Sequence, residues 1–429
     1  ESLRFSAGLA LSHPFGVEQR LHQLTDTLVS MPSEQLGDQV IRGLFTHLSP
    51  TMAFVPRRLP FLFHARSSFP RRPCDPIDRG GASGLNRRRA VSVRLWSGSV
   101  RELPEEGVAV NVEAMAGLSR GDLAARQSSA LSDLIARLRI AGSPYWDTKL
   151  RDVGAVESID DIGSLPFTVK KEFRDTYPSG MLAVPMGDVV RVHASSGTSG
   201  KPTIVAYTAS DVAMFAEVNA RALALAGATS ESVVHVAYGY GLFTGGLGLH
   251  YGVEALGATA VPASGGNPGF QVGLLADLGA DGLAATPSYA LLLAERAAAD
   301  GVLDRVALRW GIHGAEPWSE GLRHKIEEAW GGDYTACDIY GLSEIIGPGV
   351  ASEWAEAKGG LVVFEDHFYP EILDPFTQEP VADGSLGELV LTTLTKQAQP
   401  VIRYRTGDIT RFLPDDYGLP FRRIDRLQG

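Results

Sequence analysis

The stretch His193-Ala194-Ser195-Ser196-Gly197-Thr198-Ser199-Gly200-Lys201-Pro202-Thr203 lies between two apolar runs, Val189-Val190-Arg191-Val192 and Ile204-Val205-Ala206-Tyr207. Two short β-branched runs around a small, hydroxyl-rich segment predict strand–loop–strand. Glycine lets a backbone curl with its N–H groups on one side, and no Cβ blocks an approaching anion. Ser195, Ser196, Thr198, Ser199 and Thr203 add hydroxyl donors and Lys201 a positive charge. Such a loop suits a polyphosphate.

It is not a Walker A loop. That motif needs glycine five residues before its second glycine and Ser or Thr after the lysine. Here Ser195 and Pro202 stand at those places, and proline removes an N–H where the Walker helix would begin.

Composition narrows the classes further. The chain has 429 residues and a net charge of −11, enough length for more than one domain and the wrong sign for a nucleic-acid binder. Two cysteines, Cys74 and Cys337, exclude a disulfide framework or a thiolate cluster, and Cys337 sits in an apolar stretch where it is expected to pack. No apolar run reaches the roughly 18 residues of a membrane span. Glu1-Ser2-Leu3-Arg4-Phe5 does not read as a secretory leader, so a cytoplasmic enzyme is expected.

Residues 1–112 differ from the rest. No lysine precedes Lys149, while Arg57, Arg58, Arg66, Arg71, Arg72, Arg79, Arg87, Arg88, Arg89 and Arg94 crowd a Pro- and Gly-rich segment without period. It reads as a basic, irregular segment, disordered or not native coding sequence, preceded by a helix face of Leu21, Leu24, Leu28 and Met31. From residue 113 the pattern is globular. Helices are expected over 122–140, 209–226, 270–278, 288–299 and 319–330, and after Thr168 as a cap. Strands are expected over 233–237, 259–262, 282–286 and 307–312. The alternation predicts an α/β core over 113–360, mostly parallel sheet flanked by helices, with ligands beyond the carboxyl ends of the strands. Over 361–425 the shorter runs 361–364, 371–373, 387–392 and 401–403 predict an antiparallel or barrel-like subdomain.

Three further motifs carry chemistry. Gly314-Ala315-Glu316-Pro317-Trp318 follows a strand. Asp338-Ile339-Tyr340-Gly341-Leu342-Ser343-Glu344 ends an apolar run: Tyr340 suits a flat base, Ser343 a phosphate and Glu344 a Mg²⁺ ion, unless Ser343 merely caps a helix. In Arg403-Tyr404-Arg405-Thr406-Gly407-Asp408, Asp408 suits ribose hydroxyls, unless it pairs with Arg405 or Arg411.

Together these motifs resemble the adenylate-forming enzymes (acyl-CoA synthetases, luciferases and adenylation domains). Leu165-Pro166-Phe167-Thr168, the run Tyr238-Gly239-Tyr240-Gly241-Leu242-Phe243-Thr244-Gly245-Gly246 and Glu365-Asp366-His367-Phe368-Tyr369-Pro370-Glu371 sharpen the likeness to the phenylacetate–CoA ligase branch, over residues 113–429. The resemblance implies the large N-terminal domain of that fold. It also implies ATP-dependent activation of an aryl acid to an acyl-adenylate and then to its CoA thioester, with ATP, Mg²⁺ and CoA. Ser195, Ser196, Gly197, Thr198, Ser199, Gly200 and Lys201 would hold phosphates. Gly314, Ala315, Glu316, Asp338, Ile339 and Tyr340 would wall the adenine, and Asp408 would take the ribose. Ser343 and Glu344 would act at the reacting phosphate, Glu344 as the metal ligand. Tyr238, Tyr240, Phe243 and Gly246 would form the acid pocket, with glycine leaving room for the ring. The partners implied are small molecules, an aryl acid, ATP and CoA, not nucleic acid or membrane, with a homodimer as the candidate assembly. Other readings are adenylation toward another acceptor, such as coenzyme F420 or an aminobenzoate, and a nucleotide-binding module with little catalysis. His313 departs from the aromatic residue expected before Gly314. The family continues past a hinge into a small C-terminal domain, so 426–429 reads as the start of that hinge and the chain as a fragment with impaired turnover.

Overall fold

The computed structural model describes residues 112–195, 202–414 and 417–427. The expectations for 1–111, and for Ser196, Gly197, Thr198, Ser199, Gly200 and Lys201 of the phosphate loop, lie outside them.

Three helices lead in: the short α1 (Val112–Ala116), the long α2 (Arg120–Arg139) and the short α3 (Pro144–Lys149). Ser119 caps α2 by accepting the Asp122 N–H at 3.0 Å, and Leu131, Leu134, Ile135 and Leu138 form its buried face. That face packs with Trp146, Leu394 and Ile402. Helix α4 (Lys170–Asp175) follows. Thr168 does not cap it. The Thr168 hydroxyl donates to the Ile402 carbonyl at 2.6 Å, and Glu172 closes the helix by accepting the Val169 N–H at 2.7 Å.

Strands β1 (Arg191–Ser195) and β2 (Thr203–Tyr207) pair antiparallel, with Ser195 opposite Thr203, so the predicted strand–loop–strand is present on both sides of the phosphate loop. Helix α5 (Ala209–Ala226) opens on a reciprocal Thr208–Asp211 box and ends at Gly227, whose φ of 113° needs glycine. Then come β3 (Val233–Val236), α6 (Gly245–Ala255), β4 (Thr259–Val261), α7 (Pro268–Asp277), β5 (Gly282–Ala285), α8 (Pro287–Ala299), β6 (Trp310–Gly314), α9 (Glu320–Trp330), β7 (Thr335–Leu342), β8 (Ile346–Glu353), β9 (Leu361–Val363), β10 (Phe368–Leu373), β11 (Gly387–Thr393), β12 (Tyr404–Thr410) and β13 (Arg423–Ile424).

Eight strands form the main sheet in the order β13-β9-β8-β7-β6-β5-β3-β4. The five from β7 to β4 run parallel, and β8, β9 and β13 are antiparallel additions. Side chains of a strand alternate between faces, so Ala284 joins the core under α5 and α6 while Leu283 and Ala285 join the core under α7, α8 and α9. Helices therefore cover both faces, as expected for parallel strands. Cys337 is fully buried, and burial pushes its thiol up to about 12. Among the described residues no helix is long and apolar enough to cross a membrane.

The β-rich segment differs in two places. Leu361–Val363 and Arg423–Ile424 join the main sheet, and only β10-β11-β12 form a separate antiparallel sheet. Residues 401–403 are not a strand. Arg403 takes φ 42°, which breaks the extended backbone, and β12 begins at Tyr404. Asp211 ties the two regions, its carboxylate accepting the Gln397 and Ala398 N–H groups at 2.6 and 2.8 Å.

Helix α6 lies against α5 through glycines. A Cβ on Gly248 would stand 2.4 Å from the Phe215 ring, and one on Gly252 would stand 2.6 Å from Asn219 Cβ and 2.9 Å from its backbone carbon. Alanine is favoured over glycine within a helix by about 1 kcal/mol, but overpacking costs typically about 1–3 kcal/mol. Because the obstacle at 252 is backbone, overpacking wins. Gly252→Ala is expected to lower the midpoint of urea unfolding, and an unchanged midpoint would show that the two helices separate freely.

Candidate active site

The loops at 238–244, 314–318 and 338–344 lie at the carboxyl ends of β3, β6 and β7, the place where parallel sheets bind ligands. The first of them, residues 238–244, is tied across to β1. Ala194 N–H donates to the Leu242 carbonyl at 2.9 Å, and His193 Nδ1 lies 3.1 Å from the same oxygen. The aromatic loop therefore stands beside the strand that feeds the phosphate loop.

Tyr238 is buried, and its hydroxyl joins three strand ends. It donates to the Ala285 carbonyl after β5 and accepts the Gly314 N–H at the end of β6, both at 2.8 Å. Just past that bond Ala315 is left-handed, φ 71°. Two clefts meet at Ala315. One, about 680 Å³, is bounded by Tyr238, Gly239, Phe243, Gly265, Gly266 and Tyr289, with Ala315 at its edge. The other, about 250 Å³, is bounded by Glu316, Trp318, Asp338, Ile339, Tyr340 and Asp408, with Gly314 and Ala315 at its edge.

The second cleft brings together three motifs that are far apart in sequence. Tyr340 O–H donates to Asp408 Oδ2 at 2.7 Å across 68 residues. The two ion pairs that would have occupied Asp408 are absent among the described residues, because Arg405 pairs with Glu388 at 2.5 Å and Arg411 with Asp425 at 2.9 Å. Burial raises the Asp408 carboxyl above its ordinary range, and the Tyr340 hydrogen bond offsets part of that shift. Glu316 accepts the Ser288 N–H at 2.7 Å and so fastens the β6 loop to the start of α8. Asp338 is held by Arg426 at 2.8 Å, and its own N–H donates to Glu353, a buried carboxylate paired with Arg323 at 2.8 Å. Ser343 and Glu344 lie in the turn between β7 and β8, so Ser343 caps no helix.

Glu344 is 3% exposed, and its Oε1 has no hydrogen-bond donor. Lys170 Nζ stands 3.1 Å from that oxygen, outside hydrogen-bond alignment. Among the described residues no three acidic, His or Cys side chains cluster as metal ligands. A buried carboxylate oxygen lacking a donor fits Mg²⁺, which is commonly held by one or two carboxylates together with substrate phosphates.

Two expected pocket residues are placed differently. Tyr240 does not line the larger cleft; its hydroxyl lies 3.4 Å from His250 Nδ1. Gly246 leaves no room for a ring, because a Cβ there would stand 2.5 Å from the Gly239 carbonyl. The backbone of the loop fills that space. The sequence reading missed Thr286, Ser288 and Tyr289, which line the same cleft. They follow β5, and the strand-end rule that marked the other loops would have marked this one.

His313, the departure before Gly314, faces the core. Its Nδ1 lies 3.0 Å from the Ala285 carbonyl, which can only accept, so Nδ1 carries the proton and Nε2 accepts from the Tyr334 hydroxyl at 2.9 Å.

A scan of family models matches residues 140–394 to the family described as AMP-binding enzyme. The chain belongs to that family. It is 51% identical over 291 residues to the phenylacetate-coenzyme A ligase of Pseudomonas putida, covering 67% of this chain and 66% of that protein. It is 52% identical over 273 residues to the enzyme of the same name from Escherichia coli, covering 63% and 62%. The chain thus spans 66% and 62% of the length of these two curated relatives. Among solved structures it is similar to 2-hydroxyisobutyryl-CoA ligase in the postadenylation state with R3-HIB-AMP, at TM-score 0.68 and 23% identity, covering 77% of this chain and 72% of that one. An open conformation of that ligase, in complex with 2-HIB-AMP and CoA, gives 0.65 and 25%, covering 69% and 72%.

Burial lowers the His313 pKa to about 4 from an ordinary 6.5. The neutral ring therefore contributes stability above pH 6.5, and that contribution is lost as pH falls from 6.5 through 4. By pH 5 the loss amounts to about 2 kcal/mol. His313→Phe strands the Tyr334 hydroxyl and leaves the Ala285 carbonyl with Tyr238 as its donor, and it is expected to start less stable at pH 7. Its urea midpoint should then fall less than the parent's between pH 7 and 5, and equal slopes would remove His313 as the source.

Proposed function

We propose that the chain activates an aryl acid resembling phenylacetate with ATP, forming an acyl-adenylate and then the CoA thioester. The observation that carries this reading is the meeting of the two clefts at Ala315. An aromatic-walled pocket on one side and a cleft with a carboxylate free of ion pairs on the other is the arrangement needed to set an acid beside the α-phosphate of a nucleotide. The curated relatives named phenylacetate-coenzyme A ligase support the choice of acid and acceptor.

In this reading the ring lies against Tyr238 and Phe243, whose faces suit a flat apolar group. Gly314, Ala315, Glu316, Asp338, Ile339 and Tyr340 hold the adenine, and Asp408, oriented by Tyr340, accepts the ribose hydroxyls. Ser195 with the phosphate loop through Lys201 binds the polyphosphate, and Ser343 donates to the α-phosphate. Glu344 would hold Mg²⁺, which when bound spreads the negative charge of the phosphates. The acid's carboxylate oxygen forms a bond to the α-phosphorus as the bond to pyrophosphate breaks. The CoA sulfur then bonds to the acyl carbon, and AMP leaves with the electron pair of the C–O bond. Holding these groups in line supplies much of the acceleration, because the encounter becomes intramolecular.

Hydrogen bonds to a charged group are worth about 1.5–3 kcal/mol each. Asp408→Ala is therefore expected to weaken ATP by about ten- to a hundred-fold, at roughly 1.4 kcal/mol per decade. Phenylacetate should bind the variant as it binds the parent. Calorimetric titration with each ligand checks this, and an unchanged ATP affinity in a folded variant would remove Asp408 from the site.

A further inference from the structure

Gln271 is a polar residue where the fold offers an apolar place. It lies in the first turns of α7, 1% exposed, beside Val272 and near Leu275, which pack in the core under α7 and α8. Burying an amide without partners is costly, and here every polar atom has one. Its Oε1 lies 2.9 Å from His235 Nε2. Its Nε2 donates its two hydrogens to the carbonyls of Ser264 and Gly266, at 2.8 and 2.6 Å, with the Tyr289 hydroxyl oxygen 3.0 Å away. Tyr289 in turn donates to the Gly266 carbonyl at 2.9 Å.

Histidine supplies the fixed end of this chain. His235 is fully buried on β3, and burial disfavours its charged form. An amide oxygen only accepts, so the neutral ring presents Nε2–H to Gln271. The other end is the 264–267 loop, in which Ser264, Gly266 and Asn267 have φ of 62°, 88° and 49°. Two of these are L-residues in a conformation that they adopt at a cost. The Ser264 N–H donates to the Val236 carbonyl at 3.1 Å and ties the start of the loop to β3, while the Gly266 carbonyl is held by Gln271 and Tyr289.

Gly265 and Gly266 form part of the wall of the larger cleft, with Tyr289 beside them. None of the residues bonded to the Gln271 side chain lines the smaller cleft. We propose that Gln271 is a positioning residue that sets the width of the acid pocket, holding the 264–267 loop against the sheet through its two amide hydrogens. The proposal rests on the reading of this cleft as the acid site. A looser loop would widen the pocket on one side only. Small aryl acids would then lose contact, larger ones would lose less, and the nucleotide would be held as before.

The test is calorimetric titration of the full chain with phenylacetate, with the bulkier 1-naphthylacetate, and separately with AMP, followed by acid-dependent pyrophosphate exchange. Gln271→Met keeps length and removes the polar bonds. Its phenylacetate Kd is expected to rise about ten-fold, the scale of one or two lost hydrogen bonds. The preference for phenylacetate over 1-naphthylacetate should narrow, and the AMP Kd should stay within about two-fold of the parent's. In exchange, KM for phenylacetate should rise while kcat at saturating acid holds. Unchanged acid affinity and preference in the folded variant overturns the proposal, as does a parallel loss of AMP affinity, which would mark a general structural role. Tyr289→Phe removes only the hydroxyl and is expected to shift the same acid preference by a smaller amount. If Gln271→Met does not fold, this variant decides, and no shift overturns the proposal. A parent that binds AMP but neither acid removes the acid-site reading and this proposal with it. A parent that binds all three while the variants behave like it removes the proposal alone.

Discussion

The Tyr238 hydroxyl holds the ends of three parallel strands in one arrangement. It gives its proton to the Ala285 carbonyl after β5 and takes the Gly314 N–H of β6, while its own backbone continues from β3. At the carboxyl edge of a sheet the ladder stops, so these backbone groups would need water or another partner. The buried phenol meets both, and the Ala285 carbonyl also accepts from His313 Nδ1 at 3.0 Å. The loops that leave the three strands are then fixed relative to one another, and Ala315 can take its left-handed turn between the two clefts.

Charge is distributed with equal economy around the site. Most of the ionic side chains nearby are paired with each other: Arg403 with Glu371, Arg405 with Glu388, Arg411 with Asp425, Arg323 with Glu353 and Arg426 with Asp338. Buried charges of this kind need partners, since an unpaired one is strongly destabilising. The pairs brace β7 and β12 and the turns beside them. What they leave over is chemically informative. Asp408 keeps a single donor, Tyr340, and Glu344 keeps one oxygen with no hydrogen bond. Asp408 is free of ion pairs because Arg405 and Arg411 are occupied elsewhere, whereas the free oxygen of Glu344 faces the Lys170 ammonium at 3.1 Å.

Lys396 shows the same principle in the interior. It is fully buried, donates to the Ile345 carbonyl at 2.8 Å and lies over the Tyr207 ring at 5.0 Å. Burial lowers its pKa to about 8, with Asp211 and Glu344 opposing the shift. The cation therefore steadies the turn that carries Glu344 from behind. Its place in the sequence, between Thr395 and Gln397, gives no sign of this.

The amino-acid pattern alone determined the alternation of strands and helices from β3 to α9, because parallel strands buried on both faces and helices with one apolar face leave different periods in the chain. It also determined the strand–loop–strand around the phosphate loop and the motifs after β6 and at the end of β7, since glycine, hydroxyl and carboxylate residues placed there are hard to account for by packing. Tertiary structure decided the rest. Whether Asp408 meets Arg405, Arg411 or Tyr340 depends on which partners those arginines find, and Glu388 and Asp425 come from other strands and turns. Whether Gly246 opens a pocket or admits a backbone depends on the path of residue 239. The assignment of Leu361–Val363 to the large sheet depends on which edge was free to receive it. Each of these is a contact between segments distant in sequence, and a local pattern records what a residue can do without recording what stands opposite it.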